Sequence, residues 1–382
     1  MINKNKKVAL TGGFAVGEAM TQINPDVMAV YPITPQTPIV EYLSKKVADG
    51  KADTEMIQVE SEHSAMSACI GASASGARTM TASASQGIMY MMEVLPVASA
   101  MRLPIVMAVA NRAISGPLNI HCDHSDAMAM RDTGWIQIFS ENAQEAYDNT
   151  FIALKLAEKV LLPVAVNLDG FILSHSVENL EILGDGKIYK FIGEYKPEQN
   201  LLDFEKPKTF GSIAMPSYYF EFRKQIYDAM ETARKEFDEV TGEFGKISGR
   251  KYEQIEPYKT KKAETVIVAM GSTCGTISSV VDKMRAEGKK VGLLKIRLFR
   301  PFPSKEVEKA LKGIKRVVTM DRNMTFGTGQ VLAGEVQKAT RKEPESVVYG
   351  LGGRDIFEKD IEKIFEAKKS LGNPYFLMKK ND

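Results

Sequence analysis

Cysteine is scarce in this chain, and the three that occur, Cys69, Cys122 and Cys274, stand far apart with no C-x-x-C pair. That spacing argues against a disulfide framework. It also argues against an iron–sulfur cluster held by this chain alone, since a cluster usually needs four closely programmed thiolates. If the chain takes part in redox chemistry, the electron carrier sits on another polypeptide. Charge of one sign is equally lacking: 50 lysines and arginines face 48 aspartates and glutamates, leaving a net charge of +2. Nucleic-acid binding needs a concentrated basic face, and this balance gives no sign of one. Apolar runs of bilayer length are missing too, and "LPIVMAVA" and "VLLPVAV" suit buried strands instead. The opening "MINKNKKVALTGG" has too short an apolar stretch for a secretory signal. The expectation is a soluble, cytoplasmic protein.

What is present is an alternation of strands and helices. At 382 residues the chain exceeds one ordinary core, so two domains and a connector are expected. In residues 1–175, "KVALTGG", "VMAVYPI", "EMIQVES", "RTMTASAS", "LPIVMAVANR" and "LLPVAVNLD" read as buried strands. Helical patterns such as "TPIVEYLSKKVADG" and "NAQEAYDNTFIALKLAEKV" lie between them, which argues for an α/β domain with a mainly parallel sheet. Residues 176–263 break the rhythm. Their first half is polar and reads as surface loops with at most a small hairpin. Then Phe220, Ile226, Met230, Ala233 and Phe237 fall at helical spacing, as an amphipathic connector packing on a domain or partner requires. In residues 264–382 the alternation returns as a second, smaller α/β domain.

Several motifs tempt and fail. "TGGFAVG", Thr11 to Gly17, is neither a P-loop nor a dinucleotide fingerprint, because Glu18 and Ala19 replace the lysine and hydroxyl, and Phe14 the second glycine. "GDG", Gly184 to Gly186, sits in polar surroundings and reads as a plain turn. "NIHCDHSD", Asn119 to Asp126, puts His121 and His124 three apart and makes a zinc site conceivable. No helical period fixes convergent ligands there, so a polar loop at an interface or active-site rim is the reading.

Three features survive, each at the carboxyl end of an expected strand, where open α/β sheets bind ligands. Thr34 lies in the stiff turn "YPITPQTP", Glu62 in "QVESEHSA", and Arg112 ends "IVMAVANR". Singly, each has a plainer role as turn residue, helix-dipole partner or surface ion. Together they offer a hydroxyl, a carboxylate and a fixed cation, which suits a small carboxylate beside a basic heterocycle.

These stretches, with "VESEHSAMSACIGASASGAR", "DHSDAMAMRDTGW", "GRKYEQIEPY", "LLKIRLFRPFP" and "DRNMTFGTGQVLAGEVQKA", resemble the α subunit of 2-oxoacid:ferredoxin oxidoreductases, nearest the pyruvate branch. The resemblance runs in order through nearly the whole chain. It implies a pyrimidine-type thiamine diphosphate-binding domain over 1–175, a connector over 176–263, and a transketolase C-terminal-like domain over 264–382. A β subunit would supply the Mg2+ and diphosphate site, consistent with the absence here of a valid G-D-G…N signature for that site, since Asn200 follows "GDG" too soon. Iron–sulfur clusters would sit on partners only, among γ and ferredoxin-like δ subunits. Ferredoxin would take the electrons, and pyruvate and coenzyme A would be the substrates. By motif position, Glu62 would be the catalytic acid on the pyrimidine ring nitrogen, with Glu60 as rival, and Pro32 and Ile33 would line the cofactor. Thr34 and Arg112 would bind the 2-oxoacid, Thr34 being restricted by Pro35. Action on 2-oxoisovalerate or 2-oxoglutarate, or a non-catalytic assembly role, are the alternatives.

Overall fold

The computed structural model describes residues 4–197, 199–367 and 371–378. In chain order the first part carries β1 (Lys6–Thr11), β2 (Val27–Val30), β3 (Glu55–Gln58), β4 (Thr79–Ser83), β5 (Val106–Asn111), β6 (Ile136–Phe139), β7 (Val164–Asp169) and β8 (Val177–Ile182). The second part carries β9 (Ile255–Tyr258), β10 (Thr265–Ala269), β11 (Val291–Ile296), β12 (Leu298–Arg300), β13 (Arg316–Asp321), β14 (Glu345–Val348) and β15 (Tyr375–Phe376).

One sheet runs β12-β6-β7-β5-β4-β2-β3 and the other β15-β14-β13-β10-β11-β9. Every pairing within them is parallel except those of the edge strands β12 and β9. Strands β4 to β7 are buried along their whole length, as strands covered by helices on both faces are, and β4 buries Thr79, Thr81 and Ser83 with its apolar residues. The α/β expectation with a parallel sheet therefore holds for both parts.

Three local expectations fail for identifiable reasons. The "KVALTGG" segment is a strand, but it lies outside the parallel sheet. β1 instead pairs antiparallel with β8, because it is apolar on one side only, with Val8 and Leu10 packed on the core and both lysines exposed. The polar stretch after residue 176, read as surface loop, thus supplies β8 and then the helix Asp185–Ile192. The long helix Pro216–Ser248 buries Ile226, Ala233 and Phe237, but its first turns run past the domain and leave Phe220 exposed.

The two parts are joined by more than packing. β12 leaves the second part to pair with β6 of the first. Beside it, Glu145 on the helix Ala143–Val160 accepts from Lys295 Nζ at 2.7 Å and from Arg297 Nη2 at 2.8 Å. Burial alone would raise the Glu145 pKa, but the two cations hold it down at about 2. A buried cluster of this kind is costly to break, because removing one partner strands the other charges. Glu145→Ala is expected to lower unfolding stability by about 3–5 kcal/mol in denaturant titrations. An unchanged midpoint would contradict that weight.

Candidate functional site

The carboxyl ends of β2, β3, β4 and β5 converge on one rim. After β2 the turn is pinned from inside: buried Gln36 donates Nε2 to Tyr31 O and Ala82 O, both at 3.1 Å. The Thr34–Pro35 peptide is cis. Pro35 also lies against Gly170, where an added Cβ would come 2.8 Å from its Cγ. The turn therefore presents Tyr31, Pro32 and Thr34 outward, with Ile33 half-buried.

Arg112 reaches this turn directly. Its Nη1 donates to Thr34 O at 2.9 Å and its Nε to Asn119 O at 3.1 Å. Only 7% of the residue is exposed, and burial lowers its pKa while Asp126 opposes that shift. A guanidinium remains charged regardless. Nη2 keeps no protein partner among the described residues. The Thr34 hydroxyl is likewise without one.

Glu62 opens the helix Glu62–Ala74, whose first turn is capped by Ser61 accepting from Ser64 N. It is 7% exposed and has no hydrogen bond or ion pair among the described residues. An unpartnered carboxylate at that burial is costly unless something else is to bind it. Glu60 differs: it is exposed, its partner is Ser64, and that hydrogen bond lowers its pKa. Burial thus sets Glu62 apart from Glu60, the rival acid.

Two features of this rim escape sequence reasoning. Gly87, on the helix Ser85–Met91 after β4, is needed for space. A Cβ there would collide with Ser83 Oγ and come within 2.8 and 2.9 Å of Glu62 Cγ and Oε1. Ser83 Oγ itself is buried without a partner. The second is Asp126, fully buried on the helix Ser125–Ala129. Its Oδ2 accepts from Ser85 N at 3.0 Å and Arg112 N at 2.9 Å, while Oδ1 accepts from Asn111 Nδ2 at 3.0 Å. Asp126 thereby ties the end of β4 to that of β5 and holds Ser85 at φ 44°, an uncommon conformation for a non-glycine residue. Burial raises its pKa against those donors. So Thr34 and Arg112 touch, and Glu62 connects to them through Gly87, Ser85 and Asp126.

The His121/His124 pair does not converge. His121 is exposed and packs against Phe171 with tilted rings, whereas His124 is buried with Nε2 2.7 Å from Asp169 Oδ1. Asp169 also accepts from Arg322 Nη1 at 2.9 Å and Ser272 N at 3.1 Å, which welds the end of β7 to the second part. Cys122, His124 and Asp169 bring one donor atom each within 4.8 Å. The Arg322 guanidinium on that same carboxylate already meets its charge. Burial opposes ionisation of Asp169, yet His124 and Arg322 keep its carboxyl well below the usual range. The loop is thus an interface, as its polarity suggested.

Comparison with known proteins agrees along most of the chain. Residues 18–242 match the family described as pyruvate flavodoxin/ferredoxin oxidoreductase, thiamine diphosphate-binding, and residues 263–361 match pyruvate:ferredoxin oxidoreductase core domain II. Pyruvate synthase subunit PorA of Thermotoga maritima is 55% identical, covering 94% of each chain, and that of Methanocaldococcus jannaschii 50%, covering 93% of each. Ketoisovalerate oxidoreductase subunit VorA of Pyrococcus horikoshii is 42% identical over 97% of this chain and 95% of its own. The solved 2-oxoglutarate:ferredoxin oxidoreductase of Magnetococcus marinus superposes with a TM-score of 0.76 at 19% identity. It covers 94% of this chain and 65% of that longer one, a likeness of fold.

Two substitutions probe this geometry. Gly87→Ala is expected to cost about 1–3 kcal/mol in denaturant unfolding, since neither neighbour can retreat freely; a neutral result would mean the approach is looser than described. Asp321, buried at the end of β13, is pushed up to about 7 by burial, against donation from Leu332 and Ala333 N–H groups and the charge of His124. A raised folded-state pKa contributes stability at low pH that is lost as pH rises from about 4 to about 7. Asp321→Asn should therefore gain in thermal midpoint relative to wild type between pH 5 and 8, and parallel pH profiles would refute it.

Proposed function

The chain belongs to the 2-oxoacid:ferredoxin oxidoreductase family as an α subunit, and on that premise we propose that it works in a pyruvate synthase. Together with partner subunits it converts pyruvate and coenzyme A, reversibly, to acetyl-CoA and CO2, passing two electrons to ferredoxin. The observation that carries this reading is the buried, unpartnered carboxylate of Glu62, which packs against Gly87 too closely for a Cβ there.

Thiamine diphosphate, when bound, supplies the electron sink that lets a 2-oxoacid lose its carboxyl group. Glu62 holds a proton at the pyrimidine ring nitrogen, where a carboxylate with no competing protein partner can share it. Pro32 and Ile33, on the same turn as Thr34, border the ring. The Thr34 hydroxyl donates to the 2-oxoacid, and the free Nη2 edge of Arg112 pairs with its carboxylate as a charge-assisted donor. In this reading residues 1–175 form the pyrimidine-type domain, 176–263 the connector and 264–382 the transketolase C-terminal-like domain.

The pocket is half of a site. A β subunit supplies the Mg2+ and diphosphate portion, and iron–sulfur clusters sit on partners among the γ and δ subunits. Several features support this. The three cysteines are each buried. "GDG" is the start of the helix Asp185–Ile192. Large side chains stand in water both beside the pocket, at Met89 and Tyr90, and along the connector, at Ile213, Tyr218, Tyr219 and Phe220. Apolar surface of that extent is what assemblies cover. No helix among the described residues is long and apolar enough to cross a membrane.

Kinetics of the reconstituted complex test the assignment. Glu62→Gln is expected to lower kcat by about 100-fold or more, and Arg112→Lys to raise KM for pyruvate about tenfold. A Glu62→Gln complex reducing ferredoxin near the wild-type rate would leave the chain an assembly subunit only. Faster turnover of 2-oxoisovalerate or 2-oxoglutarate than of pyruvate would reassign the substrate.

A further inference from the structure

Between Ser85 and Gly87 stands Gln86, a side chain to which the chemistry above gives no role. Its place on the rim is fixed from both sides. Ser85 N donates to the Asp126 oxygen that also accepts from Arg112 N, at 3.0 and 2.9 Å. On the other side Gly87 packs against Glu62, where a Cβ would come 2.8 Å from Glu62 Cγ. Gln86 therefore lies midway along the contacts that join the acid to the cation.

The Gln86 amide is held at one end and open at the other. Ser115 N donates to its Oε1 at 2.9 Å, and Ser85 Oγ lies 2.7 Å from the same oxygen. A backbone N–H only donates, so the atom it meets is the oxygen and the orientation of the amide is settled. The two N–H bonds of Nε2 then meet no protein acceptor among the described residues. Unlike Ser83 Oγ, this nitrogen is not sealed from solvent, and the residue is partly exposed. Met89 and Tyr90, three and four residues on, carry the same helix face into water beside the pocket. A carboxamide so held has little rotamer freedom left to lose on binding, and hydrogen bonding to its oxygen polarises its N–H groups.

We propose that Gln86 Nε2 donates a hydrogen bond to the 2-oxo oxygen of the substrate. The inference rests on the thiamine reading and deepens it. With the substrate carboxylate on Arg112 and its carbonyl carbon toward the ring that Glu62 marks, the 2-oxo oxygen falls between the two, as Gln86 does. Negative charge gathers on that oxygen as the carbonyl carbon is attacked. A fixed, neutral donor stabilises it there and leaves the carboxylate to Arg112.

Kinetics and binding in the reconstituted complex test this. Gln86→Met, neutral and of similar length, is expected to lower kcat about 100-fold or more. Gln86→Glu keeps an acceptor for Ser115 N but, when ionised, has no N–H, and should lose kcat by a similar factor. Calorimetry with oxamate, a 2-oxoacid isostere, reads the site without turnover. Its Kd should change less than about threefold in Gln86→Met, but rise about tenfold in Arg112→Lys. A kcat near the wild-type value in either Gln86 variant would overturn the assignment. A tenfold or greater loss of oxamate affinity in Gln86→Met would overturn it too, leaving the amide as a tie for the loop that carries Arg112. Glu62→Gln and Arg112→Lys tell the failures apart: if they are impaired and the Gln86 variants are not, only the role of Gln86 falls. If all four are unimpaired, the thiamine reading falls with it.

Discussion

Asp126 is a carboxylate sealed from water and held by backbone donors of Ser85 and Arg112 and by the amide of Asn111. Because those donors lie at the ends of two neighbouring strands, their relative position is set by hydrogen bonds rather than by loop packing. Ser85 is kept in a strained conformation, and two residues on Gly87 can approach Glu62. Arg112, held by its own N–H, projects its guanidinium to the Thr34 carbonyl. A buried acid of this type stabilises only if its acceptor capacity is filled, which is why the whole rim behaves as one unit.

The second part of the chain stiffens the first without entering the rim. Its strand β12 completes the first sheet, and its Arg322 and Ser272 grip Asp169 at the end of β7. Asp169 in turn binds His124, two residues before Asp126. Interface and site thus share one loop, "NIHCDHSD", whose concentration of polar side chains reflects two neighbours to satisfy at once.

Strand–helix alternation was legible because most of the parallel strands covered on both faces are apolar runs. β1 was read as a strand but not as one outside the parallel sheet, and its partner β8 was missed, because a half-buried ribbon has no such constraint. β6 passed unread: Gln137 interrupts its apolar pattern, and only the fold reveals that its amide is spent on Ala127 O. Thr34, Glu62 and Arg112 were proposed from strand ends and family likeness. The choice of Glu62 over Glu60 needed burial to support it. Gly87 and Asp126 act through distance and hydrogen bonding across segments remote in sequence, for which a single chain carries no local signal.

The central claim is that the strand-end rim of this chain is one wall of a thiamine diphosphate pocket completed by a partner subunit. The most direct measurement is the structure of the assembled complex with thiamine diphosphate bound. The account predicts a Glu62 carboxylate oxygen within about 3.2 Å of a pyrimidine ring nitrogen, with the diphosphate held by another chain. A cofactor whose ring contacts other residues, with Glu62 facing no cofactor atom, would contradict it.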